Sequence, residues 1–204
     1  MELSERCGNI DVYWFDQLLK GRVPRGAQVL DAGCGAGRNL VYLLREGYDV
    51  HGVDQSQSAI AQVQALAVSL QDGVDAKRFR REAVEAMSFE DASMDVVICN
   101  AVLHFARDHA HFRAMLMELW RVLRPGGMLF IRVASTDGLD GALQPRGGGR
   151  YLLPDGSERY LLDPATRIAS EQCLGAQPLE PWKSTLVAGL RSMGTWVLRS
   201  PKSG

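Results

Sequence analysis

Short continuous apolar runs alternate along the first two-thirds of the chain with segments whose apolar residues recur every three or four positions. The runs at 27–31 (AQVLD), 50–53, 76–81, 95–99 (DVVIC) and 128–133 (MLFIRV) predict strands, the unbroken ones covered on both faces. Between them, a helix is expected from about 36 to 46, and a second behind Ser56 or Ser58 with Ile60, Val63, Ala67 and Leu70 on one face. A third carries the stripe Phe112, Met115, Leu116, Leu119, Trp120 and Leu123, ended by Pro125-Gly126-Gly127. Strands alternating with helices predict an α/β fold with a parallel, doubly wound sheet.

The texture changes after Val133. Residues 135–150 read as a mobile loop ending in Arg146-Gly-Gly-Gly-Arg150, and 151–162 as a hairpin turning at Pro154-Asp155-Gly156-Ser157. Pro164 opens a helix behind Asp163 that runs to about Cys173. Two late strands, 184–187 and 195–199, close the sheet as an antiparallel pair. Near the N-terminus Ile10, Trp14 and Leu18 anchor a helix on the core, which leaves Tyr13 or Phe15 to cover a cleft. The expected organisation is one domain: a helical cap (1–26), a core (27–134), a loop and hairpin (135–163), and a last helix with C-terminal strands (164–204).

Composition narrows the partners. The 204 residues carry 23 Lys+Arg against 24 Asp+Glu, which argues against nucleic-acid binding driven by bulk charge. Only Lys20, Lys77, Lys183 and Lys202 are lysines, so nearly every cation is a guanidinium, through base composition or through anion recognition. Cys7, Cys34, Cys99 and Cys173 are too far apart for a zinc or disulfide framework. With no signal-peptide pattern and no apolar run near 18 residues, a cytoplasmic chain without membrane partners is expected.

The chemistry concentrates in Val29-Leu-Asp31-Ala-Gly33-Cys-Gly35-Ala-Gly37, with Asp54 closing the next strand. A glycine loop between strand and helix brings backbone N–H groups close to a ligand, and a carboxylate some twenty residues on suits ribose hydroxyls. The third glycine comes one residue too early for a nicotinamide-dinucleotide fingerprint. This register resembles motif I of the class I S-adenosylmethionine (SAM)-dependent methyltransferases, type 11-like. The resemblance extends through Asp54, DASMDVVICNAVLHF (91–105) and WRVLRPGG (120–127), about half the chain. Residues 33–39 and 47–50 are also similar to the tellurite-resistance methyltransferase branch.

The resemblance implies a Rossmann-like, seven-stranded, mostly parallel sheet with an antiparallel last strand and a small hairpin insertion after the fifth. It implies SAM as cofactor and S-adenosylhomocysteine (SAH) as product; no metal is expected, because His104, His109 and His111 offer no i, i+4 pair and no flanking carboxylate beyond Asp108. Asp31, Ala32, Gly33, Cys34, Gly35, Gly37 and Arg38 would wrap the methionine and ribose, and Asp54 with Gln55 would take the ribose hydroxyls. For the adenine, Glu82 and Glu85 compete, and Glu82, next to Ala83 and directly after the strand, is preferred. Asn100 would orient an acceptor or the cofactor's carboxylate.

Further candidates carry two readings each. His104, just past the fourth strand, is a general base or a structural hydrogen bond; His109 and His111 are expected to be exposed. Cys34 and Cys99 are soft nucleophiles or small packing residues. Arg78-Phe-Arg-Arg81 reads as a solvated strand end, and the absence of Asn-Pro-Pro-Tyr and Pro-Cys motifs disfavours DNA base methylation. Tyr13 with Arg146, Arg150, Tyr151 and Arg159 would recognise the acceptor, the arginines gripping a carboxylate or phosphate. The leading expectation is in-line methyl transfer to a small, anionic acceptor. The alternatives are a catalytically silent SAM-binding module and an NAD(P)-dependent oxidoreductase.

Overall fold

The computed structural model describes residues 2–139 and 141–202. Helices α1 (Leu3–Cys7) and α2 (Val12–Leu19) precede β1 (Gln28–Ala32), α3 (Val41–Arg45), β2 (Asp49–Asp54) and α4 (Gln57–Leu70). Next come β3 (Phe79–Arg81), β4 (Met94–Asn100), α5 (His109–Arg121) and β5 (Leu123–Ala134). Three short strands follow, β6 (Gln144–Gly147), β7 (Arg150–Leu152) and β8 (Glu158–Tyr160). The described chain closes with α6 (Pro164–Leu174), β9 (Gln177–Pro178), β10 (Lys183–Val187) and β11 (Arg191–Arg199).

The main sheet runs β10-β11-β5-β4-β1-β2-β3, with the two-residue β9 also on β11. β11 is antiparallel to its three neighbours, and β1 to β5 are mutually parallel. This is the Rossmann-like architecture expected, enlarged by β9. β1 has β2 on one side and β4 on the other, so the chains leaving β1 and β4 part and open a crevice at their carboxyl ends.

Alternation along each strand sorts the core into two layers. Leu30, Val97, Leu129 and Ile131 face α5 through Phe112, Leu116 and Leu119; Val29, Ile98 and Phe130 face Trp14, Leu43, Ile60 and Val63. Trp14 is fully buried against Phe130, ring centroids 5.3 Å apart, and donates from Nε1 to the Asn39 carbonyl at 3.2 Å. Glu180 holds α2 from the far end of the chain, receiving Lys20 at 2.6 Å, Lys183 at 3.1 Å and Arg22 at 3.2 Å. Burial alone would raise the Glu180 carboxyl, but the bonds from Lys20 and Lys183 outweigh it and hold it at about 2.

Four local expectations are corrected. The helix of 36–46 starts only at Val41, because Gly33, Gly35 and Gly37 all take positive φ (+82°, +52°, +84°) and the chain turns instead of coiling. The strand of 76–81 opens as a 3-10 turn at Ala76–Arg78, capped by Asp75, so only Phe79–Arg81 pairs. The helix before β5 ends at Arg121, and β5 passes straight through Pro125–Gly127; a Cβ on Gly127 would stand 2.8 Å from the Asp95 carbonyl, so the close crossing requires glycine. The Arg146–Arg150 segment is a tight turn joining β6 to β7, and the anticipated hairpin is the second half of a three-stranded antiparallel sheet.

Trp182 lies flat against β11 at Gly194, where a Cβ would stand 2.0 Å from the indole. Gly194→Ala therefore costs about 1–3 kcal/mol through overpacking, a fall in Tm of roughly 3–10 °C by thermal unfolding. An unchanged Tm would mean that Trp182 packs elsewhere.

Candidate active site

The glycine turn is nailed to β2. Gly33 N and Cys34 N donate to the Val53 carbonyl at 2.8 and 2.9 Å, and the Asp54 carboxylate accepts Gly35 N at 2.9 Å and Ser56 N at 2.8 Å. A Cβ on Gly33 would meet Val102 at 2.3 Å, so only glycine allows β1 and the segment after β4 to approach this closely. Between them lies a cleft of about 380 Å³, within the usual range for small-ligand sites. Gly33, Asp54, Gln55 and Glu82 form one wall; Asn100, Val102, Phe105 and His111 form part of the other.

Beneath the turn Asp31 is 1% exposed, and neither carboxylate oxygen has a partner among the described residues. Burial, with repulsion from Asp54, pushes its carboxyl up to about 7 against the attraction of Arg38. Asn100, 8% exposed, accepts from Arg38 Nη2 at 3.3 Å while its Nδ2 donors have no acceptor among the described residues. The glycine turn thus has an unpaired buried carboxylate beneath it and the unpaired amide donors of Asn100 in the cleft beside it. Ala32 is buried in β1, Arg38 is exposed at the mouth, and Ala83 makes an isolated bridge with Ala86.

Glu82 lines the cleft, its carboxylate accepting Ser88 N at 2.8 Å and Ser88 Oγ at 2.5 Å. Glu85 turns to His111 instead, 2.9 Å from Nε2. Arg107 N donates to Nδ1 of that ring at 3.1 Å, which places the His111 proton on Nε2. His111 is therefore a half-buried wall of the cleft, correcting the expected exposure; His109 is exposed but reaches Tyr160 Oη at 3.0 Å.

His104 is 8% exposed, with its ring centroid 4.5 Å from that of Phe105 and no partner on Nδ1 among the described residues. Burial, with the nearby Arg159, pushes its pKa down to about 4, so the imidazole is neutral at pH 7 and a weak base. The Cys34 and Cys99 thiols are raised far above their ordinary value by burial and stay protonated, which favours packing over nucleophilic chemistry.

The small sheet sits on the rim of the cleft. Arg150 donates to the Ala106 carbonyl at 2.9 Å and to Glu158 at 2.8 Å, and Arg159 lies 5.1 Å from the Phe105 ring centroid. Two of the three arginines expected to grip an acceptor thus fasten the hairpin to the segment after β4, and Arg146 is exposed on β6. Tyr151 is half-buried on the apolar cluster of Leu153 and Leu161.

Sequence reasoning passed over Arg132. It is 8% exposed, donates from Nη1 to Thr195 Oγ1 at 2.7 Å, and lies 4.1 Å from the centroid of the Tyr13 ring. The signal was available as the single charge inside the buried run MLFIRV.

A methyltransferase-domain family profile matches residues 30–131, half of the chain. The ubiquinone biosynthesis O-methyltransferase of Xanthomonas axonopodis pv. citri is 31% identical over 79% of this chain and 70% of its own. The malonyl-[acyl-carrier protein] O-methyltransferase of Erwinia billingiae is 31% identical over 81% of this chain and 59% of its own. Magnesium protoporphyrin IX methyltransferase from Synechocystis PCC 6803, solved with bound SAH, shares the fold at a TM-score of 0.71 and 23% identity, covering 95% of this chain and 83% of that one. The chain belongs to the class I SAM-dependent methyltransferase family. It spans roughly half to seven-tenths of the length of the curated relatives it matches.

Proposed function

We propose that this chain transfers a methyl group from SAM to a small-molecule acceptor. The observation that carries the reading is the partnerless Asp31 carboxylate under a three-glycine turn pinned by Asp54. The donor set fits the cofactor: a buried, unpaired carboxylate suits an ammonium, Asp54 suits ribose hydroxyls, and Glu82 with Val84 suits an amino-bearing heterocycle. Arg38, beside the glycine turn, would take the cofactor's carboxylate. SAM supplies a sulfonium-borne methyl group, the charged leaving group driving in-line displacement.

The chain's own contribution is alignment and exclusion of water. Holding two reactants in register supplies up to about 7–11 kcal/mol of a bimolecular barrier. The small antiparallel sheet roofs the rim where an acceptor would sit. His104 is the candidate proton acceptor but a weak one, so the site suits a methyl acceptor that arrives already ionised and needs no base. The relatives named above act, by name, on malonyl-[acyl-carrier protein] and in ubiquinone biosynthesis, both as O-methyltransferases, which supports an acceptor of acidic or oxygen-bearing character.

Calorimetry with SAM, SAH and NAD(P) tests the cofactor, and radiolabelled SAM with small acids, phenols, thiols and chalcogen oxyanions tests transfer. SAM and SAH should bind, with NAD(P) inert. Tight NAD(P) binding without SAM binding would overturn the reading, and SAM binding without product would favour the silent module.

A further inference from the structure

Three facing residues form one polar rung across the sheet. In register, Asn100 on β4 pairs with Arg132 on β5, which pairs with Thr195 on β11. They share the face that buries Ile98, Phe130 and Val197, one rung nearer the carboxyl ends of β4 and β5. A guanidinium buried this deeply is ordinarily neutralised by a carboxylate in bidentate contact. Among the described residues Arg132 has no such partner. The counter-charge nearest in contact there is Asp11 Oδ2, 3.7 Å from Nε and too far for a hydrogen bond, and Nε has no acceptor among the described residues.

Asp11 is shared as well. Its Oδ1 caps α2 through Tyr13 N at 2.9 Å and Trp14 N at 3.2 Å, and its Oδ2 lies 3.8 Å from Arg38. Asp11 is thus approached by two guanidinium groups and hydrogen-bonds neither, beside an Asn100 amide whose donors are unmatched among the described residues. The rung has more buried donors than the described residues satisfy.

We propose that Arg132, with Asn100 beside it, is a specificity-determining site that anchors a carboxylate of the methyl acceptor. The inference rests on the methyltransferase reading, in which the cofactor's own carboxylate goes to Arg38 at the glycine turn. It leaves the methyl to a different atom of the acceptor, because a carboxylate gripped by guanidinium is a poor nucleophile. Tyr13 is the cover of the site: its ring lies on Arg132, and its hydroxyl meets Thr185 Oγ1 at 2.5 Å.

The test is calorimetric titration of the protein, with and without SAH, using benzoate and malonate against benzamide and malonamide. The acids should bind at least tenfold more tightly than their amides. Arg132→Gln should erase that preference while SAH affinity stays within about twofold, and Arg132→Lys, which keeps the charge without the fork, should retain part of it. Arg38→Gln should instead weaken SAH.

Equal binding of acid and amide would overturn the proposal, as would a preference that survives Arg132→Gln in a folded variant. Loss of SAH binding in Arg132→Gln as large as in Arg38→Gln would also overturn it, by moving Arg132 to the cofactor's carboxylate. A merely structural Arg132 would lower Tm and leave the acid-to-amide ratio untouched. Failure of SAH to bind the parent protein would sink the methyltransferase reading alone, since titration of the free protein still reads the anion preference.

Discussion

Asp31→Asn is expected to stabilise the ligand-free protein at neutral and alkaline pH while weakening SAM binding at least tenfold. The Asp31 carboxyl stands at about 7 in the fold against an ordinary 3.8, because burial and Asp54 penalise its charge. The unfolded chain therefore gives up this proton first. Its stabilising contribution is full below pH 4 and is lost as pH rises through 7. Asparagine has no charge to bury, so the variant should match the parent near pH 4 and exceed it at pH 8, on the order of a few kcal/mol. Thermal unfolding from pH 4 to 8, with and without SAM, reads both arms. Parallel Tm curves for the two proteins would show that Asp31 ionises normally and is not poised for a cation.

The second large effect concerns the other end of the turn. Asp54→Ala removes the acceptor of Gly35 N and Ser56 N, so the glycine turn loses its clasp as well as the proposed ribose partner. SAM affinity should fall a hundredfold or more. Stability should fall by about 1–3 kcal/mol for donors left unmatched. The fold should persist, because Gly33 N and Cys34 N keep their bonds to Val53 and β1 keeps its register with β2. Asp54→Asn retains a carbonyl acceptor and should fall between the two. Calorimetry beside circular dichroism measures this pair, and SAM affinity within threefold of the parent in Asp54→Ala would refute the ribose role.

The parallel sheet was legible because both-face burial writes itself as unbroken apolar runs, at 50–53 and 95–99 above all. The glycine turn was legible because its conformation tolerates few other residues. Its effect on the following helix was not, since a 3.6-residue periodicity continues through 36–40 while the backbone turns. The least legible features depend on side chains that meet across long stretches of chain. Tyr13 reaches Thr185, 172 residues away, and Glu180 gathers Lys20 and Arg22 from 160 and 158 residues away. The arginines drew attention where they stood in a Gly-rich loop and the hairpin after it, yet Arg150 and Arg159 fasten the hairpin, while Arg132, within a strand, has the unmatched Nε donor.

The place of β11 has a consequence for synthesis. The strands that build the glycine turn and its clasp, β1, β2 and β4, are all made within the first hundred residues. β11 slots between β5 and β10, and its Thr195 follows Arg132 by 63 residues. A chain emerging from the ribosome can therefore assemble the nucleoside half of the crevice while β5 still has an open edge and Arg132 lacks Thr195. Cofactor binding and acceptor selection would mature in that order, and a nascent chain stalled before β11 would hold the first without the second.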